Sequence, residues 1–296
     1  MFHGTMTALV TPFRNGKIDE DAFRAHLDRQ IESGVDAVVP AGTTGEAATL
    51  SFEEHKHLIH MTVEHVAGRV PVIAGTGSNN TAESIELTQA AKELCADAAL
   101  LISPYYNKPT QEGIYQHYKA VAEAVHLPQI IYNVPGRTNS NILPETVGRL
   151  SHISNIVGIK DATTNMEQLV HTLDACNGRI KFYSGDDATV LPFMALGGHG
   201  VISVVSNLVP ERMKQLTSAI GSDDFVTART AQFALRELNQ AMFMQSNPIP
   251  VKAACAMMGW MDWELRLPLT ILPQDMREDL FAVMKASGLK PERTNP

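Results

Sequence analysis

The most reactive side chain suggested by the sequence is a lysine near the end of an apolar run. Lys160 belongs to Ile156–Asp161, whose branched apolar residues are typical of a strand buried on both faces. An amine enclosed by such walls loses hydration in its charged form, which lowers its pKa and frees its lone pair to attack a carbonyl. The alternative is a lysine that extends past the strand end into solvent.

Tyr132 is the first candidate partner for this amine. It lies in a predicted strand over residues 129–133, directly before the lysine strand, so its phenol could point into the same mouth. A phenol is useful as a proton donor and acceptor when hydrogen bonds connect it to a relay, which Thr44 and Tyr106 could supply. The alternative is a buried structural tyrosine.

Two further segments could bind carboxylates. Residues 42–46 place the hydroxyls of Thr43 and Thr44, with backbone amides, on a glycine turn ahead of a helix. Arg137, in a turn over residues 133–138, could hold a carboxylate through two parallel hydrogen bonds. The alternatives are an ordinary strand-to-helix turn and a surface ion pair.

Tyr105 and Tyr106 lie in a stiff loop between Pro104 and Pro109. Adjacent exposed tyrosines are more typical of an interface than of catalysis. Both interpretations hold together if a partner subunit inserts one ring into the site.

We predict no metal and no cofactor. Asp186 and Asp187 are adjacent, so their side chains diverge, and we interpret Asp187 as the cap of the following helix. The segment Gly75-Thr76-Gly77 lacks the third glycine of a dinucleotide loop. One predicted helix, over residues 51–66, carries four histidines: His55, His57, His60 and His65. They spread around the helix, and no two have the His-x-x-x-His spacing of a zinc site.

The elements that position these residues alternate along the chain. Strands are predicted at residues 4–10, 35–40, 71–74, 98–103, 129–133, 156–161, 180–184 and 200–205. The intervening helices are predicted at residues 19–33, 51–66, 81–94, 111–125, 144–150, 166–175 and 187–196, and later ones at 211–220, 225–244, 250–258 and 274–287. Ser51 with Glu54 forms a capping box.

Eight such units favour an α/β fold of the (β/α)8 TIM-barrel type over an open doubly wound sheet. Residues 1–209 would form the barrel up to strand eight, and residues 210–296 the last barrel helix and a C-terminal helical extension. Chemistry in such barrels gathers at the carboxyl ends of the strands, where Gly185 and the region of Ile202 would join the residues above.

Composition excludes several classes of function. With 296 residues, 44% of them hydrophobic, the chain can bury one large core. A net charge of −8 and scattered basic residues argue against a nucleic-acid surface, and no apolar stretch is long enough to span a membrane. The N-terminus lacks a basic and apolar leader, and three distant cysteines suit reduced thiols, so we expect a cytoplasmic enzyme.

Taken together, the motifs resemble those of the bacterial dihydrodipicolinate synthase (4-hydroxy-tetrahydrodipicolinate synthase) family. The resemblance covers essentially the whole chain in order and rests on residues 42–46, 104–109, 132–138, 158–161, 184–187 and 247–252. It implies a barrel with C-terminal helices, assembled as a homotetramer of two dimers. The implied reaction condenses pyruvate with L-aspartate 4-semialdehyde, without a cofactor, in diaminopimelate and lysine biosynthesis.

The resemblance also implies residue roles. Lys160 would form the Schiff base with pyruvate, and the proton relay would comprise Tyr132, Thr44 and Tyr106, the last from a neighbouring subunit. Thr43 and Thr44 would hold the pyruvate carboxylate and Arg137 that of the semialdehyde. The backbone near Gly185 and Ile202 would shape the pocket.

Feedback by L-lysine at the dimer interface is common in bacterial members of the family. The positions that match that pocket are Ala48, His55, Asn79, Glu83 and Tyr105, and Glu83 would pair with the amine of the effector. The sequence departs from the pattern at Ala47 and Phe52, where sensitive relatives often carry serine and histidine.

Two alternatives stay open at this point. A sister Schiff-base aldolase, such as N-acetylneuraminate lyase or a 2-keto-3-deoxy sugar acid aldolase, would share Lys160 and Tyr132. A catalytically inactive barrel that senses a metabolite is the other. The setting of Arg137 and the Tyr105-Tyr106 pair favour the small semialdehyde.

Overall fold

Parallel strands form the centre of the molecule. The computed structural model describes residues 2–293. In chain order, its strands are β1 (Gly4–Ala8), β2 (Phe13–Arg14), β3 (Lys17–Ile18), β4 (Ala37–Val39), β5 (Ile73–Gly75), β6 (Ala98–Ile102), β7 (Gln129–Asn133), β8 (Ile156–Asp161), β9 (Lys181–Ser184) and β10 (Gly200–Ser203). All belong to one eight-stranded sheet except β2 and β3, which form an antiparallel hairpin.

The sheet closes on itself. Its strand order is β4-β1-β10-β9-β8-β7-β6-β5, and every pairing is parallel. The two end strands meet where Val38 and Val72 form a parallel bridge and the Val38 amide donates to the Pro71 carbonyl at 3.0 Å. The predicted (β/α)8 barrel is therefore confirmed.

Helices follow the strands and continue beyond the last one. They are α1 (Glu20–Glu32), α2 (Phe52–Val66), α3 (Thr81–Glu93), α4 (Gln111–Ala124), α5 (Pro135–Thr138), α6 (Pro144–Leu150), α7 (Met166–Cys176), α8 (Val190–Ala195), α9 (Pro210–Gly221), α10 (Phe225–Ala241), α11 (Ile249–Met257) and α12 (Gln274–Ala286). None of the helices in residues 2–293 combines the length and apolar character that crossing a membrane requires.

Local sequence determines where several helices begin. The predicted capping box is present: the Ser51 hydroxyl accepts from the Glu54 amide at 3.2 Å, and the Glu54 carboxylate accepts from the Ser51 amide at 2.9 Å. Asp19 and Thr110 likewise accept backbone amides at the starts of α1 and α4. These side chains satisfy amide groups that have no partner inside the helix.

Several details differ from the sequence prediction. The predicted helix over residues 187–196 consists of a 3₁₀ turn, Asp187–Thr189, followed by α8. The turn predicted over residues 133–138 contains the one-turn helix α5, with Pro135 in its first turn, where a missing amide hydrogen costs nothing. The hairpin of β2 and β3 was not predicted, because two-residue strands leave no alternating pattern.

The core has three parts. One fills the barrel and includes Met6, Val39, Ile130, Ile202 and the ring of Tyr132. A second lies between the strands and the surrounding helices. The third joins the C-terminal helices to residues of the barrel, so the chain after residue 209 shares a core with the strands it follows.

Candidate active site

Lys160 is enclosed in the barrel near the carboxyl end of β8. Its side chain is 6% exposed, and its Nζ atom lies 4.3 Å from the centroid of the Tyr132 ring. Burial lowers the pKa of Lys160 from 10.5 to about 7. The charge of Asp187 opposes this decrease, and that of Arg137 adds to it. The structure thus places the amine in the enclosed position expected from the sequence, with a substantial uncharged fraction at neutral pH.

Tyr132 lies beside Lys160 because their strands pair in register. β7 and β8 are neighbours, and Tyr132 is paired with Lys160 across them. The phenol is 7% exposed, and burial raises its pKa to about 12, although the Arg137 charge and the Thr43 hydroxyl oppose the increase. The phenol is therefore neutral and holds its proton near neutral pH.

The glycine turn that follows β4 holds Thr43 and Thr44. Thr44 is buried, and its hydroxyl accepts a hydrogen bond from the side-chain amide of Asn247 at 2.9 Å. The turn lies tightly against β5, since a Cβ atom at Gly75 would lie 2.3 Å from the Ala41 carbonyl oxygen. The hydroxyl near Tyr132 that affects its pKa is that of Thr43, whereas the sequence predicted Thr44 as its partner.

Arg137 projects from α5 toward the same mouth. Its side chain is exposed, and the guanidinium donates to the backbone carbonyl of Asn247 at 3.1 Å. Its charge lowers the pKa of both Lys160 and Tyr132. Arg137 therefore lies within electrostatic reach of both groups and can attract an anion to them.

Gly185 and Ile202 lie at the ends of the next two strands. A Cβ atom at Gly185 would lie 2.7 Å from the Ala162 Cβ and 3.1 Å from the Lys160 Cε. A side chain at position 185 would crowd the side chain of Lys160, and glycine avoids this contact. Ile202 is fully buried inside the barrel and pairs with Met6.

Tyr106 is not brought together with Lys160 and Tyr132 within one chain. Its side chain is 89% exposed, and its backbone adopts a left-handed conformation, φ 70°. The adjacent Tyr105 is 37% exposed, and its carbonyl accepts from the Asn79 side-chain amide at 3.1 Å. The loop therefore presents aromatic surface outward.

The positions predicted for an effector lie around the ends of β4, β5 and β6. His55 is buried, and its Nε2 atom lies 2.6 Å from the Gly75 carbonyl oxygen. Burial lowers the pKa of His55. Glu83 accepts hydrogen bonds from the Ser78 hydroxyl and the Asn80 amide, at 2.7 and 3.2 Å. Ala48 is exposed on the turn after β4.

The interpretation of Asp187 as a helix cap is wrong. Its carboxylate makes no capping bond to its own helix and instead accepts the backbone amides of Val204 and Val205, at 2.9 and 2.8 Å. Its other oxygen, Oδ1, is buried without a partner among the described residues. The sequence missed this role because the two amides come from the segment after β10, which only tertiary contact brings to Asp187.

Asn247 and Lys252 are further functional candidates that no individual motif indicated. Asn247 bonds to both Thr44 and Arg137, and Lys252 forms a buried ion pair with Glu46. Both lie in the segment 247–252, which entered the prediction through the family resemblance alone. A charged residue in an otherwise apolar helix, Ile249–Met257, is the one local signal that marked this segment.

Residues 2–293 contain no cluster of three or more histidine, cysteine, aspartate or glutamate side chains arranged to hold a metal ion. The chemistry that the site offers is instead that of an amine nucleophile beside a neutral phenol, with hydroxyl groups and a guanidinium nearby. Such a set can form an imine with a carbonyl compound that carries a carboxylate.

Comparison with known proteins places this site in context. The model of the dihydrodipicolinate synthetase family matches residues 1–287. The 4-hydroxy-tetrahydrodipicolinate synthase of Citrifermentans bemidjiense is 54% identical over 285 residues, which cover 96% of this chain and 98% of that protein.

Solved structures agree with the sequence comparison. The dihydrodipicolinate synthase of Aquifex aeolicus superposes with a TM-score of 0.97 at 44% identity, covering 99% of this chain and 100% of the other. The dihydrodipicolinate synthase of Acinetobacter baumannii, solved in complex with pyruvate, has a TM-score of 0.96 at 47% identity, covering 98% of this chain and 100% of the other.

Proposed function

This chain belongs to the dihydrodipicolinate synthetase family, and from that premise we propose that Lys160 is the residue that forms the Schiff base with pyruvate. The protein is an enzyme of the class I aldol-type lyases and acts as a 4-hydroxy-tetrahydrodipicolinate synthase in diaminopimelate and lysine biosynthesis. Its substrates are pyruvate and L-aspartate 4-semialdehyde. The sister aldolases and the inactive sensor are not favoured, since the relatives and the structures above carry the synthase name.

The single observation that carries the assignment of Lys160 is its burial, which lowers its pKa to about 7 beside a phenol that stays neutral. The uncharged amine attacks the C2 carbonyl carbon of pyruvate, forming a C–N bond while the oxygen takes up a proton. Loss of water from this carbinolamine leaves an iminium, which withdraws electrons from the adjacent methyl group.

The iminium allows the carbon–carbon bond to form. The methyl group loses a proton to give an enamine, whose carbon bonds to the aldehyde carbon of the semialdehyde while the aldehyde oxygen gains a proton. Attack by the amine of the semialdehyde on the imine carbon then releases Lys160 and closes the ring.

Tyr132 is proposed to exchange protons with these intermediates. Its neutral phenol can donate to the hydroxyl that leaves as water and can be reprotonated through hydrogen-bonded hydroxyls. Thr44 is proposed to supply such a hydroxyl within the chain, next to the Thr43 hydroxyl that lowers the pKa of Tyr132. Tyr106 would supply another from a neighbouring subunit, which agrees with the outward position of its ring.

The remaining pocket residues bind the two carboxylates. Thr43 and Thr44, on the glycine turn, are proposed to hold that of pyruvate, and the exposed Arg137 guanidinium that of the semialdehyde. The backbone near Gly185 and Ile202 forms the opposite wall. The pyruvate complex of the Acinetobacter baumannii relative supports the choice of first substrate.

Borohydride trapping tests this proposal. Incubation with pyruvate and borohydride should reduce the imine to a stable secondary amine, and mass mapping should find the added mass on the peptide that contains Lys160. Lys252 is the matched internal control, since it is also a buried lysine but is paired with a carboxylate. An adduct on Lys252, or none at all, would refute the assignment. Turnover with semialdehyde but not with sugar aldehydes would separate the synthase from sister aldolases.

Assembly as a homotetramer of two dimers is a further proposal. Two exposed apolar surfaces support it, since such an assembly needs two kinds of contact. One is the loop of Tyr105 and Tyr106, and the other is on α10, where Val226 and Phe233 are exposed and lie two helical turns apart. Sedimentation should then give a mass four times the chain mass of 32.3 kDa. A measured mass equal to that of a single chain would argue against the tetramer.

Regulation and location complete the proposal. L-lysine is proposed to bind near Ala48, His55, Asn79, Glu83 and Tyr105, where the Glu83 carboxylate would pair with the amine of L-lysine. Titration of activity with L-lysine tests this proposal.

A cytoplasmic location is proposed because Cys95, Cys176 and Cys255 are all free thiols.

A further inference from the structure

The C-terminal extension reaches back onto the glycine turn at two points. The side-chain amide of Asn247, just before α11, donates to the Thr44 hydroxyl at 2.9 Å. One turn further, the Lys252 ammonium pairs with the Glu46 carboxylate at 2.5 Å. Thr44 and Glu46, which receive these two bonds, lie on either side of Gly45, so the bonds together hold the last three residues of the turn.

The Lys252–Glu46 pair is removed from solvent. The two side chains are 1% and 0% exposed. The second carboxylate oxygen of Glu46 accepts the backbone amide of Arg266 at 3.1 Å, and the Lys252 Nζ atom lies 4.4 Å from the centroid of the Phe13 ring. Both hydrogen-bond donors to the Glu46 carboxylate therefore come from the chain after residue 250.

Stability alone does not explain this arrangement. Removing two charges from water is costly, and an apolar pair of similar volume often serves stability equally well or better. Glu46 is moreover a non-glycine residue in a left-handed conformation, φ 57°, which costs energy that its surroundings must offset. Costs of this kind cluster at functional sites.

The geometry connects the pair to the reacting groups. The Glu46 amide donates to the Thr43 carbonyl at 3.1 Å, so the position of Glu46 determines where Thr43 and Thr44 lie. Because the Thr44 oxygen already accepts from Asn247, its own hydrogen remains available to a different oxygen. A turn held in this way presents the Thr44 hydroxyl in one direction.

We propose that Lys252 is a positioning residue for the reaction: through Glu46, and together with Asn247, it holds the Gly42–Glu46 turn so that the Thr44 hydroxyl can take part in proton transfer. This inference rests on the proposed function. It assigns the C-terminal extension an indirect part in catalysis, since its residues act through the glycine turn and none is proposed to touch the reacting carbon atoms.

The test must separate positioning from stability. In Lys252→Met the Glu46 carboxylate is left buried without its cation, so both stability and turnover should fall. In the double variant Glu46→Gln/Lys252→Met no charge is left unpaired, so the melting temperature should return close to that of the wild type. If the pair positions Thr44, turnover of the double variant should nevertheless stay ~10- to 100-fold low, the range expected for a misplaced relay.

Trapping, exchange and steady-state measurements complete the test. With pyruvate and borohydride, wild type and double variant should both form the Lys160 adduct. The exchange of pyruvate methyl protons for deuterium, followed by NMR without semialdehyde, should slow in the double variant by about the same factor as kcat, while KM for pyruvate changes less.

Lys214→Met is the matched control, because the pair of Lys214 with Asp36 has the same 2.5 Å separation but lies at the amino ends of the strands. It should leave the exchange rate unchanged.

The outcomes are distinguishable. Lack of an adduct in the wild-type enzyme would overturn the Schiff-base assignment and this inference with it. An adduct in the wild type, with wild-type exchange and kcat in the double variant, would overturn only the positioning role. The positioning role would also be overturned if Lys214→Met slowed exchange as much as the double variant does.

Discussion

At the level of single residues, the Lys160 Nζ atom lies 4.3 Å from the centroid of the Tyr132 ring, and both residues are buried. Burial acts on their pKa values in opposite directions, down to about 7 for the amine and up to about 12 for the phenol. Both shifts have one cause, the loss of hydration by the charged form. The amine can therefore act as a nucleophile while the phenol keeps a proton to donate.

The neighbouring charges predict how adduct formation depends on pH. With pyruvate alone, the rate of trapping at Lys160 should rise with pH through about 7, because only the neutral amine attacks. The Asp187 charge raises this pKa and the Arg137 charge lowers it. Asp187→Asn should therefore move the rise to lower pH and Arg137→Met to higher pH, each by a fraction of a unit to about one unit. Unmoved profiles in both variants would contradict the electrostatic account.

Lys160 should also destabilise the fold. Because its folded pKa lies below its unfolded value, the folded state binds fewer protons between about pH 7 and 10.5, and stability rises with pH across that window. Lys160→Met should therefore raise the free energy of unfolding at pH 7 by a few kcal/mol, at about 1.4 kcal/mol per pKa unit. Urea unfolding at pH 7 and pH 9.5 checks this: the gain should be smaller at the higher pH, and a gain independent of pH would contradict the linkage.

At the level of secondary-structure elements, adjacency of strands decides which residues meet. β7 and β8 bring Tyr132 and Lys160 to the same height, and the closing bridge between the strands at Val38 and Val72 brings the glycine turn to the opposite side of the mouth. A 3₁₀ turn, Ala47–Thr49, follows the glycine turn, and the helix α2 begins after it at the capping box of Ser51 and Glu54. The Glu54 carboxylate also receives the Arg266 guanidinium, which holds the pKa of Glu54 down at about 2.

The capping box gives a prediction at this level. Ser51→Ala removes the acceptor of the Glu54 amide and should lower the free energy of unfolding by about 1 kcal/mol. Ser218→Ala, an exposed position on α9, is the control and should change it by less than about 0.5 kcal/mol. Chemical denaturation of both variants measures the difference. Equal effects would show that the box does not stabilise α2, whereas the Lys160 adduct should form in either variant.

At the level of the whole molecule, the C-terminal helices are part of the barrel's structure. α9 packs on β1, and residues of α10, α11 and α12 share one apolar core with Val10 and Val201. Asn247 and Lys252 bond to the glycine turn across more than two hundred residues of sequence. The predicted division at residue 209 therefore separates two stretches of sequence that depend on each other for burial.

Truncation tests this dependence. A chain that ends after residue 209 would expose the core shared with the C-terminal helices and lose both bonds to the glycine turn. We expect it to lose fixed tertiary structure, seen as loss of the near-ultraviolet circular dichroism signal and increased binding of a hydrophobic dye. The full chain measured in parallel is the control. A truncated chain with a native spectrum would show that the barrel folds independently of the extension.

Much of the architecture follows from the sequence because it depends on local patterns. Apolar runs separated by amphipathic helices predicted the eight strands, and β7 and β8 have the predicted bounds. A lysine in a buried strand predicted an amine with a lowered pKa, since the cost of desolvation depends on burial that the neighbouring residues already imply. Ser51 and Glu54 predicted the start of α2, because a capping box involves only residues that are three positions apart in the sequence.

Contacts between distant segments were decided only by the tertiary structure. Asp187 was mistaken for a helix cap because its true partners, the amides of Val204 and Val205, follow another strand. No pattern along the chain shows that Asn247 bonds to Thr44 or that Lys252 pairs with Glu46. A hydrogen bond or a buried ion pair requires two groups within about 3 Å, and only the closed barrel with its helices packed against it brings these groups together.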